Sequence, residues 1–396
     1  MERNIIHHAA NEIVDKLIKW RRDFHHNPET GLDCFHTSSI IADELKKLNY
    51  KVKSGFAKTG IVASVGEGKP VVAFRVDMDA LPVKEETGLP FASSRDNVMH
   101  ACGHDGHSAI GLGVANIMAL LISKLSGKFV VIFQPGEEYP GGAPIMIEEG
   151  ALAEDMPEMI LGMHIFPDLP SGKIGLRYGV MTASNVDFSI HIEGQGAHGA
   201  YPHKSIDPFP AVASLINCLQ TIVSRNVPPL EAQVISLGEI NGGSGYNVVP
   251  NSITVKGTIR SLSEKNEKLA LKRLNEIVSG IEKSFNVNIR LNIIPGVPMM
   301  ICDENITSMA EKALINYWGR ETVTRISQPS MGVDDFSNFT KIIPSTYMRL
   351  GSYDEEKGYI YPLHNSHFDF DEKLLRKGVE AAVVVLYQAL VSLQQS

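Results

Sequence analysis

Cysteine is scarce in this chain. Only Cys34, Cys102, Cys218 and Cys302 occur among 396 residues, which does not resemble a disulfide framework, so free thiols in a reducing compartment are expected. An excess of positive charge is missing as well. Against 37 Lys and Arg stand 45 Asp and Glu, a formal charge of −8, which argues against a dedicated nucleic-acid binder because phosphate contacts call for a basic patch. Residues 1–8 hold no apolar core of the length a signal peptide requires. No stretch approaches the ~20 uninterrupted apolar residues of a membrane span, and neither an internal repeat nor a low-complexity tract is visible. What remains is ordinary globular composition, 43% apolar and 21% charged, enough for a sizeable core. The expectation is a cytoplasmic protein of two or three domains, with neither nucleic acid nor membrane as partner.

Hydrophobic spacing supplies the organisation. Ile13, Leu17 and Trp20 recur at helical intervals, as do Ile40, Ile41, Leu45 and Leu48. Short β-branched runs at 61–65 and 71–76 are bounded by glycine or proline, 108–125 reads as a buried helix, and 129–133 as a core strand. Strands alternating with helices predict an α/β fold with a largely parallel sheet. From about residue 184 the order changes to strand 186–192, helix 208–223, strands 232–240 and 252–260, helix 264–285 and strand 287–293. That β-α-β-β-α-β order is ferredoxin-like. Helices near 305–318 and 374–393 return to α/β character, which predicts one domain from residues 1–183 and 294–396 with a second, 184–293, inserted in it.

The densest polar cluster is Met99-His100-Ala101-Cys102-Gly103-His104-Asp105-Gly106-His107, just before the buried helix. Three imidazoles, a thiol and a carboxylate are costly to bury unless they ligate something or bond one another. Cys and His are favoured ligands of zinc and similar divalent ions, and on an extended segment Cys102 and His104 would face one side. The competing interpretation is a capped helix start, with Asp105 as N-cap and solvated histidines. Gln134-Pro135-Gly136-Glu137-Glu138 follows a core strand, where open α/β sheets bind ligands, and one carboxylate of such a pair can serve a metal while the other moves a proton. By itself such a pair after a strand is usually a solvated loop. His164, the segment from His364 to Glu372, and Arg75-Val76-Asp77-Met78-Asp79 also fall at strand or segment ends, and Asp77 and Asp79 could orient metal-bound histidines.

Taken together these motifs resemble the M20 family of metallopeptidases, in particular its amidohydrolase branch of hippurate hydrolases, N-acyl-amino-acid amidohydrolases and auxin-conjugate hydrolases. The resemblance spans nearly the whole chain. It implies a zinc-peptidase-like α/β catalytic domain with an inserted ferredoxin-like α+β lid or dimerisation domain. It further implies two divalent ions per subunit (Zn, Mn, Co or Ni), with Cys102 bridging, His104 and His164 on one ion, and Glu138 and His364 on the other. Glu137 would be the general base. Asp79 would match the aspartate behind the metal, and Asp77 falls where the wider family places a histidine ligand, which His104 replaces. His367 lies at a variable position, so His364 is preferred. Asp334 stands where the branch often has glutamate.

The resemblance extends to Gly194–His203, Asn247-Val248-Val249-Pro250 and Gly257-Thr258-Ile259-Arg260. His198 would donate to the oxyanion, while Asn247 and Arg260 would hold the substrate's carboxylate as the inserted domain closes over it. Without the resemblance His198 reads as a turn histidine and Arg260 as a solvated strand-end arginine. The implied activity is hydrolysis of the amide of an N-acyl amino acid by a metal-activated water, in a homodimer or homotetramer. A dipeptidase or aminoacylase-like peptidase of the same fold is the near rival, and a non-catalytic relative that only binds metal or ligand is the distant one.

Overall fold

The computed structural model describes residues 2–123 and 125–394. The chain divides into two compact units, one formed by Met1–Met181, Ile301–Gln328 and Asp334–Ser396, the other by Thr182–Met300 and Pro329–Val333.

The first unit is built on an eight-stranded sheet. Its four central strands, Gly127–Gln134, Val71–Asp77, Met159–Pro170 and Ser345–Tyr353, run parallel. Antiparallel strands at the flanks make the whole sheet mixed rather than largely parallel. Every residue of Val71–Asp77 is buried, as expected for a parallel strand covered on both faces. The helix His104–Ile122 is long and apolar enough to cross a membrane, but 83% of that stretch is buried inside the fold, so it is the core helix of this unit. Lys124, within the span predicted for this helix, lies outside the described residues.

The second unit is a four-stranded antiparallel sheet in the order Gln233–Gly242, Ser252–Ser261, Ser184–Glu193, Asn288–Pro295. Ser184–Glu193 alternates buried and less buried positions, the period-two signature of a sheet with one covered face. The helices Pro208–Thr221 and Glu264–Phe285 supply that cover through Leu215, Leu219, Leu274 and Ile281. Strand order and connectivity are those of a ferredoxin-like fold.

One feature of the large sheet breaks the apolar pattern. Arg75, in the middle of Val71–Asp77, is wholly buried. It donates to Asp77 at 2.7 Å, to Gln134 at 2.8 Å and to Asp335 at 2.8 Å. A buried ion pair adds little net stability over an apolar isostere, yet removing one partner strands the other charge. Arg75→Met is expected to lower the unfolding free energy by about 3–5 kcal/mol, with Arg75→Lys recovering part of the loss, measured by denaturant titration. A loss below ~1 kcal/mol would show that Asp77 and Asp335 do not depend on it.

Candidate metal centre and catalytic site

The site is assembled where the parallel strands end. Gly103 adopts φ of +82°, a conformation glycine takes without strain, and this reverses the chain so that Cys102 lies in a turn and His104 opens the core helix. A β-carbon on Gly106 would come within 2.6 Å of Phe370 and 2.8 Å of Ile165, so glycine lets the first turn seat against its neighbours. The Cys102 Sγ then lies 3.4 Å from Nε2 of His164 and 3.4 Å from Nε2 of His364. His364 Nε2 is 3.2 Å from Oε1 of Glu138.

The opposite ring nitrogens are occupied. His104 Nδ1–H donates to the main-chain oxygen of Asp79 at 2.8 Å, and His164 Nδ1–H to that of Ile165 at 2.5 Å. Such bonds fix the tautomer and leave Nε2 as the free donor. Among the described residues His104 Nε2 is buried without a hydrogen-bond partner, and Glu138 Oε1 is buried with only its 3.2 Å approach to His364, a costly arrangement unless another group completes it. Cys102, His104 and His164 form one set of donor atoms lying within 4.8 Å of one another, and Cys102, Glu138 and His364 form a second. Sulfur, imidazole and carboxylate donors in such sets suit a divalent transition metal.

Glu137 faces two groups: its carboxylate falls within 4.8 Å of the donor atoms of His104 and Glu138, and within 4.8 Å of those of Asp334 and Asp335. Burial, then Asp334, Asp335 and Glu138, push it well above the ordinary glutamate range. Asp79 accepts the backbone N–H of Glu137 at 2.9 Å and of Glu138 at 3.2 Å, so one buried carboxylate orients the loop that carries both glutamates.

In the second unit, His198 pairs with Val248 across a two-stranded ribbon, and Gly199 N–H donates to Asn247 O. His198 is exposed, and its Nδ1 accepts the Ala200 N–H, which leaves Nε2 protonated toward solvent. This ribbon joins the sheet at Asn251, whose side chain accepts from Gly196 N–H. Arg260 lies at the far end of the same strand, paired with Asn185, its guanidinium donating to Met331 O. Nine residues of strand separate Asn251 from Arg260, about 30 Å at the rise of an extended chain.

Residues 73–388 match peptidase family M20/M25/M40. This chain belongs to the M20 peptidase family. It is 36% identical over 371 residues to a hippurate hydrolase from Campylobacter jejuni, covering 92% of this chain and 95% of that one. It is 37% identical over 378 residues to thermostable carboxypeptidase 1 from Saccharolobus solfataricus, covering 94% and 95%. The fold matches that of a dinuclear metal-binding M20 peptidase from Bacillus subtilis with a TM-score of 0.84 and 29% identity, covering 98% and 100%. The protein is therefore a metal-dependent hydrolase.

Knowing the family, the polar cluster can be apportioned. His107 is no ligand of this M20 centre, because Nδ1–H donates to Asp77 at 2.6 Å and Nε2 accepts the Ile165 N–H at 2.8 Å. The capped-helix alternative fails, since Asp105 is buried and accepts from Arg21 at 3.1 Å and from His25 at 2.8 Å, and His100, His104 and His107 are buried too. The extended geometry expected for Cys102 and His104 is replaced by the turn at Gly103. His367 is stacked on Tyr361 with ring centres 5.0 Å apart. Asp334, in the glutamate position, still accepts from Phe336 N–H at 2.8 Å and from the Tyr347 hydroxyl at 2.5 Å. Sequence inspection missed Arg21, His25 and Asp335, although Arg75 inside an apolar run was a sign that buried carboxylates must meet it.

Burial raises the Cys102 thiol well above its usual range. His104 lies well above its own, since Asp77, Asp79 and Cys102 outweigh the burial that would lower it. Both must give up a proton to ligate. Metal affinity should therefore rise with pH by at least about tenfold per unit between pH 6 and 8, measured by competition with a chromophoric chelator, and bound metal should shield Cys102 from iodoacetamide. A pH-independent affinity, or rapid alkylation of the loaded protein, would remove Cys102 from the ligand set.

Proposed function

We propose that the protein hydrolyses the amide bond of N-acyl amino acids, hippurate-like or N-acetylated, with two divalent ions per subunit. The observation that carries this is the convergence of the Cys102 thiol with His104, His164, His364 and Glu138, with the Glu137 carboxylate close to His104 and Glu138 on one side and to Asp334 and Asp335 on the other. His104 and His164 would hold one ion, Glu138 and His364 the other, and Cys102 both. Ions so held, whether zinc, manganese, cobalt or nickel, would supply Lewis acidity toward the carbonyl and acidify the attacking water. Glu137 takes the proton of that water as its oxygen adds to the amide carbon. The raised proton affinity of its carboxyl, set by burial and by Asp334 and Asp335, suits it to keep that proton and deliver it to the leaving nitrogen. Asp79 keeps the Glu137–Glu138 peptide in place during the transfer.

His198 donates from Nε2 to the developing oxyanion, and Asn247 and Arg260 hold the amino-acid carboxylate, the fork of the guanidinium matching its two oxygens. Asn247 shares the ribbon of His198, and about 30 Å of strand separates the foot of that ribbon from Arg260, far more than one small amide spans. Arg260 of one copy with His198 and Asn247 of another can serve one substrate, which favours a homodimer as the working form, in the cytoplasm. A second activity, cleavage of dipeptides, is favoured by the likeness to a carboxypeptidase, because a dipeptide presents the same amide and carboxylate.

Glu137→Gln should abolish hydrolysis of hippurate or N-acetyl amino acids with metal content unchanged, whereas Glu138→Gln should lose metal first, both followed by turnover and elemental analysis. A Glu137→Gln protein that is active or metal-free would end the general-base assignment.

His198→Ala should lower kcat by about 10²–10³. Mixing it with Glu137→Gln and allowing subunits to exchange should restore activity, since each mixed dimer holds one intact site. If mixing restores nothing, His198 does not act across subunits.

A further inference from the structure

Three arginines are buried in the first unit: Arg21, Arg75 and Arg349. Two are matched by carboxylates, Arg21 by Asp105 and Asp369, Arg75 by Asp77 and Asp335. Arg349 is not. It is 8% exposed, and among the described residues its guanidinium has neither a hydrogen bond nor an ion pair. It lies over the ring of Phe166, with Cζ 3.9 Å from the centroid. Burial draws its basicity down, and Asp168 and Asp334 oppose that only from beyond ion-pairing distance. Asp334 has its oxygens engaged by Phe336 and Tyr347.

A buried charge without a counter-charge is unfavourable, and a fold retains one where something outside the chain supplies the counter-charge. The register says where. Arg349 is the partner of His164 on the adjacent parallel strand, so both side chains leave the same face of the sheet. Phe166, two residues beyond His164, lies on that face, its ring 6.3 Å from the imidazole. The guanidinium is thus one aromatic ring away from a metal-ligand histidine. A guanidinium placed over a ring keeps its planar fork of N–H donors, the geometry that fits a carboxylate. Arg177, just past the neighbouring strand Ile174–Leu176, bonds to main-chain oxygens of Val180, Ile326 and Ser327, and no acidic side chain among the described residues pairs with it.

We propose that Arg349 forms an anion subsite for a second carboxylate of the substrate, distinct from the α-carboxylate held by Arg260. This rests on the amidohydrolase activity and narrows its substrates to diacids. The second carboxylate belongs either to the acyl group or to the amino-acid side chain.

The test compares metal-loaded enzyme on N-acetylmethionine, N-acetylglutamate and N-succinylmethionine. For one of the last two, kcat/KM should exceed that for N-acetylmethionine by about 10- to 100-fold, the scale of a charged hydrogen-bonded pair. Whichever it is locates the carboxylate. In Arg349→Met that ratio should collapse toward one, chiefly through KM, while Arg349→Lys keeps part of it. Because the charge has no partner in the chain, Arg349→Met should melt no lower than the parent, whereas a structural arginine would leave a less stable protein. Calorimetric titration with succinate against acetate is the second readout, with the parent favouring succinate and Arg349→Met showing no difference. A ratio near one in the parent, or one that survives in Arg349→Met, overturns the subsite. If no N-acyl amino acid is hydrolysed, the amidohydrolase activity itself fails, and the succinate titration alone then upholds or rejects the subsite.

Discussion

One buried guanidinium organises the catalytic unit. Arg75 reaches from the middle of a core strand to Asp77 on its own strand, Gln134 on the next and Asp335 from a distant segment. Asp77 in turn fixes His107, and Asp335 accepts from Gln134 and from the Ala143 backbone, on either side of the loop carrying Glu137 and Glu138. Each of these carboxylates would be too costly to bury without the cation at their centre. The cation in turn makes sense only because the parallel strands end at a common edge.

The metal centre illustrates how a fold prepares donors before any ion arrives. His104 and His164 each spend Nδ1 on a main-chain oxygen, so Nε2 is aimed and unprotonated once the ion binds. The buried His104 Nε2, without a partner among the described residues, is a local cost that a bound ion would offset, which would couple metal binding to the stability of this part of the fold. Glu137 and Glu138 are neighbours in sequence and both approach His104, yet only Glu138 is grouped with Cys102 and His364 and only Glu137 with Asp334 and Asp335.

The order of elements was legible from hydrophobic spacing. The helix Glu264–Phe285 coincides with its predicted span and several strands lie within a residue or two of theirs, because period-two and period-3.6 patterns are local consequences of burying one face. The flanking strands Lys51–Phe56 and Ile174–Leu176 were not foreseen. The first is polar and exposed along much of its length, and the second is too short to show a period.

Residue types and spacing thus determined which side chains could do chemistry, since His, Cys and Glu donors crowded at strand ends have few structural uses. Only the tertiary structure decided which of them act together. His107 and His104 are three residues apart and equally buried, yet one is consumed by Asp77 and Ile165 while the other is left open. His198 and Arg260 share a unit, yet one sits on a ribbon that joins the strand Ser252–Ser261 at its start and the other lies near the far end of that strand. Arg349 looks ordinary in sequence and is exceptional only because no carboxylate among the described residues comes within ion-pairing distance of it. The reason is common to all three: whether a polar group is available depends on what burial brings against it, and those partners come from segments tens to hundreds of residues away.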